Sequence, residues 1–121
     1  MNSTSVKNQK TNQSTAAQFF NLASEAEDSG RVQEARKLYL RAANLGDCGA
    51  QNNLGNLYSG IPGIRVNRKR ALYWFKKSWR TGNESHACMN IASTYADMGD
   101  DRQARKWWRV AAATGTARNP G

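Results

Sequence analysis

Two patterns of apolar and small residues alternate along the chain, and each occurs three times. The first pattern covers Gln18, Leu22, Ala23 and Ala26, then Ala50, Leu54, Gly55 and Tyr58, then Ala87, Ile91, Ala92 and Tyr95. Its spacing of i, i+4, i+5, i+8 marks one face of a helix. The second pattern runs from an alanine to a glycine, over Ala35 to Gly46, Ala71 to Gly82 and Ala104 to Gly115. Large apolar residues fall at matching places inside it: Leu38, Trp74 and Trp107, then Tyr39, Phe75 and Trp108, with small Ala42, Ser78 and Ala111 three positions on. Small residues on both faces allow the two helices of a unit to approach closely. A fixed period of this length signals stacked helix pairs. The pattern therefore predicts an all-α solenoid of three antiparallel helix-pair repeats.

Turn and cap residues agree with the periodicity. Gly46, Gly82 and Gly115 stand where a helix ends, and Asp47, Asn83 and Thr116 follow as N-caps for the next one. Thr15 and Gln18 read as a capping box opening the first helix, and Asn67 and Asp100 or Asp101 cap the second helices of the later repeats. Helices are predicted near 16–28, 31–45, 48–59, 68–81, 85–97 and 102–114, giving repeats at about 16–46, 47–82 and 83–115 within a body of 15–116. Residues 1–14 are almost all Ser, Thr, Asn, Gln and Lys and are predicted to be a disordered polar tail, with a short C-terminal tail at 117–121.

The middle repeat carries a specific resemblance. Ala50, Leu54, Gly55 and Tyr58 are followed by Gly63 and Ile64, by Asn67, by Arg70, Ala71, Trp74, Phe75, Lys76, Lys77 and Ser78, and by Gly82. This order is similar to that of the Sel-one-like repeat (SLR) family, a branch of the tetratricopeptide repeat (TPR-like) superfamily. The outer repeats differ in having a shorter turn between their helices. The resemblance implies a right-handed α-α superhelix whose first helices line a concave groove and whose second helices form a convex back. It also implies adaptor or scaffold work through protein binding, with no chemistry of its own.

On that geometry the groove is read from first-helix residues outside the apolar stripe. They are Phe20, Asn21 and Ser24, then Asn52, Asn53 and Asn56, then His86, Met89, Asn90 and Ser93. Asn21, Asn53 and Asn90 hold the same place in all three repeats. An amide offers both a donor and an acceptor, so a row of them can hold an extended peptide backbone. The same asparagines can instead bond one helix to the next. Phe20 and Met89 would supply apolar pockets at either end. Few charges line this face, which argues against a clamp for a C-terminal carboxylate.

Charge changes the picture on the other side. The 121 residues carry a formal net charge of +9, and the cations collect on the second helices: Arg36, Lys37 and Arg41, then Lys76, Lys77 and Arg80, then Arg105, Lys106 and Arg109. A basic convex ridge of this kind suits an acidic protein or a nucleic acid as partner, or serves as a solvated face. Tyr73 and Trp79 are the aromatic residues not claimed by the repeat's core that could stack on bases.

Candidate chemistry is sparse. His86 is the single histidine, and Cys48 and Cys88 fall at different repeat positions, with no CxxC or HExxH spacing. No catalytic residues, metal ligands or cofactor are assigned, and buried reduced thiols are expected. The chain has no apolar run of roughly 18 residues, the length of a membrane span, and no secretory signal, so residence in the cytoplasm is expected. Export as a signal-peptide-less effector is the lesser alternative. Only a few residues follow Gly115, so Ile91, Tyr95 and Trp108 are expected to be partly uncovered at the C-terminal end, a surface for self-association.

Overall fold

The computed structural model describes the backbone of residues 2–82 and 84–114, and the side chains of residues 13–82 and 86–114. Six helices follow in order: α1 (Asn2–Asp28), α2 (Val32–Asn44), α3 (Cys48–Tyr58), α4 (Arg68–Thr81), α5 (Glu84–Asp97) and α6 (Asp101–Ala113), and no strand is found among the described residues. Each helix packs chiefly on its sequence neighbours, α1 on α2, α3 on α4 and α5 on α6 within pairs, and α2 on α3 and α4 on α5 between them. The result is a helical solenoid of three pairs.

Side-chain caps set three of the helix starts. The side chains of Asp47, Asn67 and Asp100 accept the backbone N–H of Ala50 (2.9 Å), Arg70 (3.1 Å) and Gln103 (3.1 Å). Each such cap is worth about 1 kcal/mol. The expected caps Asn83 and Thr116, the terminal Gly115 and the tail at 117–121 lie outside the described residues.

One expectation is corrected at the N-terminus. The helix does not start at a capping box on Thr15 but runs from Asn2, through the segment predicted to be a tail. No glycine or proline interrupts residues 2–28. Once the packed part around Ala16, Ala23 and Ala26 is helical, extension adds one hydrogen bond per residue without a new nucleation cost.

The turns inside the pairs fall into two types. In the outer pairs, Arg31 N–H donates to Ala26 (2.8 Å) and Gly30 to Glu27 (3.0 Å), while Asp100 donates to Tyr95 (2.9 Å) and Gly99 to Ala96 (3.0 Å). These are matching helix-ending turns, and each needs the positive φ found at Gly30 (79°) and Gly99 (80°). The middle pair has a longer connection over residues 59–67, closed by Asn67 N–H on Tyr58 (2.8 Å) and filled by buried Ile64.

The core runs through the stack, with Tyr39, Leu54, Leu57, Phe75 and Ile91 its largest fully buried apolar side chains. Burying such a side chain contributes roughly 1.5–3 kcal/mol. Within the middle pair, Phe75 lies where a Cβ on Gly55 would sit, only 2.5 Å from its ring. The missing side chain of Gly55 is what lets α3 and α4 close. The Ser78 hydroxyl adds a polar tie by donating to the Cys48 carbonyl (2.8 Å). Cys88 is buried and Cys48 half-buried, so the expectation of buried thiols holds fully for one only.

Candidate functional site

The first helices α1, α3 and α5 carry the ten residues expected to line a groove, and the structure divides them by bonding. Asn21, Asn56, His86 and Ser93 are exposed. Asn52 is buried and accepts from Asn90 Nδ2 (2.9 Å), which ties α5 to α3, while the Thr94 hydroxyl donates to the Asn90 carbonyl (2.7 Å). Helix-to-helix bonding therefore accounts for part of the asparagine row. Phe20 is half-buried and packs edge-on against Tyr39, with ring centroids 5.6 Å apart, so it fills space between α1 and α2 instead of lining an open pocket. Met89 is half-buried.

Beneath this face lies a small polar network that sequence reasoning missed. The Tyr39 hydroxyl donates to Glu27 Oε1 (2.9 Å) and lies 3.2 Å from Ser24 Oγ. A phenol has one proton, so with that proton on Glu27 the serine is the donor. The Asn53 amide of α3 also acts on this hydroxyl and favours its ionised form. Burial raises the Tyr39 pKa above its ordinary 10.0; Glu27 adds to the rise, and Ser24 and Asn53 oppose it. Three helices thus meet on one phenol: Ser24 and Glu27 from α1, Tyr39 from α2 and Asn53 from α3. Polar residues directly beside the apolar stripe, Ser24 after Ala23, Glu27 after Ala26 and Asn53 before Leu54, were the available sequence signal.

The basic surface is less uniform than a ridge. Lys76 and Lys77 are half-buried and spend their charge on aromatic rings. Lys76 Nζ donates to the Tyr95 hydroxyl (2.7 Å), and Lys77 Nζ lies 5.4 Å from the Trp74 ring centroid. The Arg41 guanidinium covers Phe19 at 4.4 Å. Lys37, Arg80, Arg105, Lys106 and Arg109 are exposed, and the last three, with Arg102, line a cleft of about 710 Å³ along α6. Arg36 joins a different cluster. A larger cleft of about 1000 Å³ brings it together with Arg65, Arg68, Lys69 and Arg70 at the long turn of the middle pair. Arg65 was not foreseen, because only the fold of that turn places it beside α2.

Two further expectations are corrected. Trp79 is not an available stacking platform, since it packs against the core and edge-on to Trp107 at 5.1 Å; Tyr73 is 54% exposed. Of the three residues expected to be uncovered at the C-terminal end, only Trp108 is notably exposed. Ile91 is buried because its side of α5 faces the preceding pair, and Tyr95 is half-buried under Lys76.

The model of the Sel1 repeat matches residues 6–28, 32–47, 49–78 and 85–115. The chain belongs to the Sel1 repeat family. The first two matched segments fall on α1 and α2, so four segments cover three helix pairs. Among solved structures, a protective antigen present in uropathogenic Escherichia coli strains and displaying an SLR fold is similar. It has 29% sequence identity and a TM-score of 0.71 over 83% of this chain, and this chain spans 23% of that protein's length. No curated protein matches the chain. Sel1 repeats generally mediate protein–protein interactions, and the family is of scaffold type and generally non-enzymatic. Among the described residues, no helix of this Sel1 repeat chain is long and apolar enough to cross a membrane, and no group of three or more His, Cys, Asp or Glu side chains is arranged to hold a metal ion.

Proposed function

We propose that the chain is an adaptor whose first-helix face takes an extended segment of a partner protein. The observation that carries this reading is a row of exposed or half-exposed amide and hydroxyl groups on the first helices of the three pairs, namely Asn21, Ser24, Asn53, Asn56, Asn90 and Ser93. Ser24 and Asn90 also take part in hydrogen bonds that tie α1 to α2 and α3 to α5. A peptide backbone presents alternating donors and acceptors, which amides satisfy without demanding particular side chains. Those ties between helices keep the ordering cost of binding low.

The exposed members give the test. Asn21 and Asn56 have no part in the inter-helix bonds above, so Asn21→Ala with Asn56→Ala should leave folding intact. In affinity capture from the native cell, partners recovered with the natural chain should be depleted with this double variant, with affinity lowered about thirtyfold if two hydrogen bonds of roughly 1 kcal/mol each are lost. Undiminished recovery of every partner would reject the groove.

A further inference from the structure

The cleft at the middle turn has three properties that suit it to a partner. The first is charge. Arg36 of α2, Arg65 of the turn, and Arg68, Lys69 and Arg70 of α4 line it together with a single acid, Asp97. Among the described residues the one ion pair joins Arg31 to Glu34, so none of these five cations has a carboxylate partner there. The first turn of α4 holds no acidic residue, whereas α2 has Glu34 and α6 has Asp101 at that place. Three cations at the positive end of a helix dipole work against the stability of α4, and an anion among them relieves the repulsion.

The second property is apolar surface. Val66 and Met98 line the same cleft and are 44% and 43% exposed. The third is rigidity. Gln33 Nε2 donates to the Gly63 carbonyl (2.7 Å), Ile64 is buried beneath the turn, and Asn67 closes it on Tyr58 and caps α4. The turn is therefore already in place before anything binds.

We infer that this cleft is a second docking site, taking an acidic segment of a partner protein in which carboxylates flank a large apolar side chain. The carboxylates neutralise the five cations and the apolar side chain covers Val66 and Met98. A simple polyanion would use only the charges. A single-stranded nucleic acid gains from an open ring for base stacking, and the aromatic lining the cleft, Tyr58, is 7% exposed and lies below the Arg70 guanidinium.

The probe is a fluorescein-labelled peptide in which glutamates flank a Leu–Phe pair, titrated against the full chain by fluorescence anisotropy. The same peptide with serines in place of the pair, and an oligothymidine of equal charge, are titrated alongside. The Leu–Phe peptide should bind more tightly than either. Arg65→Glu with Lys69→Glu should weaken it by at least about tenfold, while Arg102→Glu with Arg109→Glu on α6 leaves it unchanged. Val66→Ser with Met98→Ser should remove the advantage of the Leu–Phe peptide over the serine peptide, and circular dichroism should show the helices kept in each variant. No binding of the peptide, tighter binding of oligothymidine, or equal loss from both charge reversals would overturn the inference. The Asn21→Ala, Asn56→Ala variant should bind the peptide normally, so the two surfaces fail independently.

Discussion

Leu22 and Leu54 hold the same place on the first helices of adjacent pairs, yet Leu22 is 49% exposed and Leu54 is fully buried. On the second helices, Tyr39 and Phe75 are each 1% exposed, and their counterpart Trp108 is 38% exposed. The two leucines are identical, and the three second-helix residues are all large aromatics. Their burial differs with place in the stack: the helices bearing Leu54, Tyr39 and Phe75 also pack on a neighbouring pair, α2 with α3 and α4 with α5, whereas α1 with Leu22 and α6 with Trp108 pack chiefly within their own pair. A repeat therefore supplies only half of its own core, and the energy of a given position is set by whether a neighbour covers it.

Truncation is the strongest way to break this comparison. Phe75→Ala should cost about 3–5 kcal/mol and Leu54→Ala about 2–5 kcal/mol, the range for fully buried side chains. Leu22→Ala should stay within about 0.5 kcal/mol, as for a surface change, and Trp108→Ala should fall between the two classes. Urea denaturation of the four variants reads this directly. Equal losses at Phe75 and Trp108 would mean that burial by the adjacent pair is not what stabilises the position.

The glycine of the middle pair sharpens the contrast between repeats. Ala23 and Ala92 occupy the place of Gly55 in the outer pairs, so those pairs already accommodate a Cβ. In the middle pair the ring of Phe75 occupies that volume. Gly55→Ala should destabilise by about 1–3 kcal/mol through overpacking, despite alanine's better helix propensity. Most of that loss should vanish in a Phe75→Leu background, since the clash needs the ring. A double-mutant cycle measures the coupling; two purely additive effects would contradict the packing account.

Much of the fold was legible because it is written in local signals. Asp47, Asn67 and Asp100 cap helices from positions their own neighbours identify, and the stripes of α3 and α4 are one-helix patterns. What was not legible depends on contacts between helices. Nothing around Ile91 reveals that its side of α5 meets α4, so its burial could not be separated from the exposure of Trp108. Lys76 and Lys77 look like solvated charges until Tyr95 and Trp74 are placed beside them. Arg65 becomes part of a cationic cleft only when Gln33 and Ile64 hold the turn against α2. The long α1 was hidden for another reason: its polar start has no apolar periodicity, and extension of an existing helix does not require one.

The same dependence on neighbours reaches the Tyr39 phenol, where the expected effect is smallest. Below pH 10 the hydroxyl is protonated in both the folded and the unfolded chain, so its contribution to stability is complete. Burial and the Glu27 carboxylate raise the folded pKa above 10.0. Between the unfolded and folded values only the unfolded chain has lost the proton, so stability falls as pH rises, by at most about 1.4 kcal/mol per pH unit. The loss ends once the folded phenol ionises. Tyr39→Phe removes the titrating group and the bonds to Glu27 and Ser24, so near neutrality it should be less stable by about 0.5–1.5 kcal/mol. That gap should narrow above pH 10, because only the natural chain suffers the phenol's alkaline penalty. Urea melts of both proteins from pH 8 to pH 10.5, chosen to straddle the ordinary value of 10.0, decide the point. A gap that stays constant across that range would show that the phenol ionises equally easily in both states, and that the network joining α1, α2 and α3 does not hold its proton.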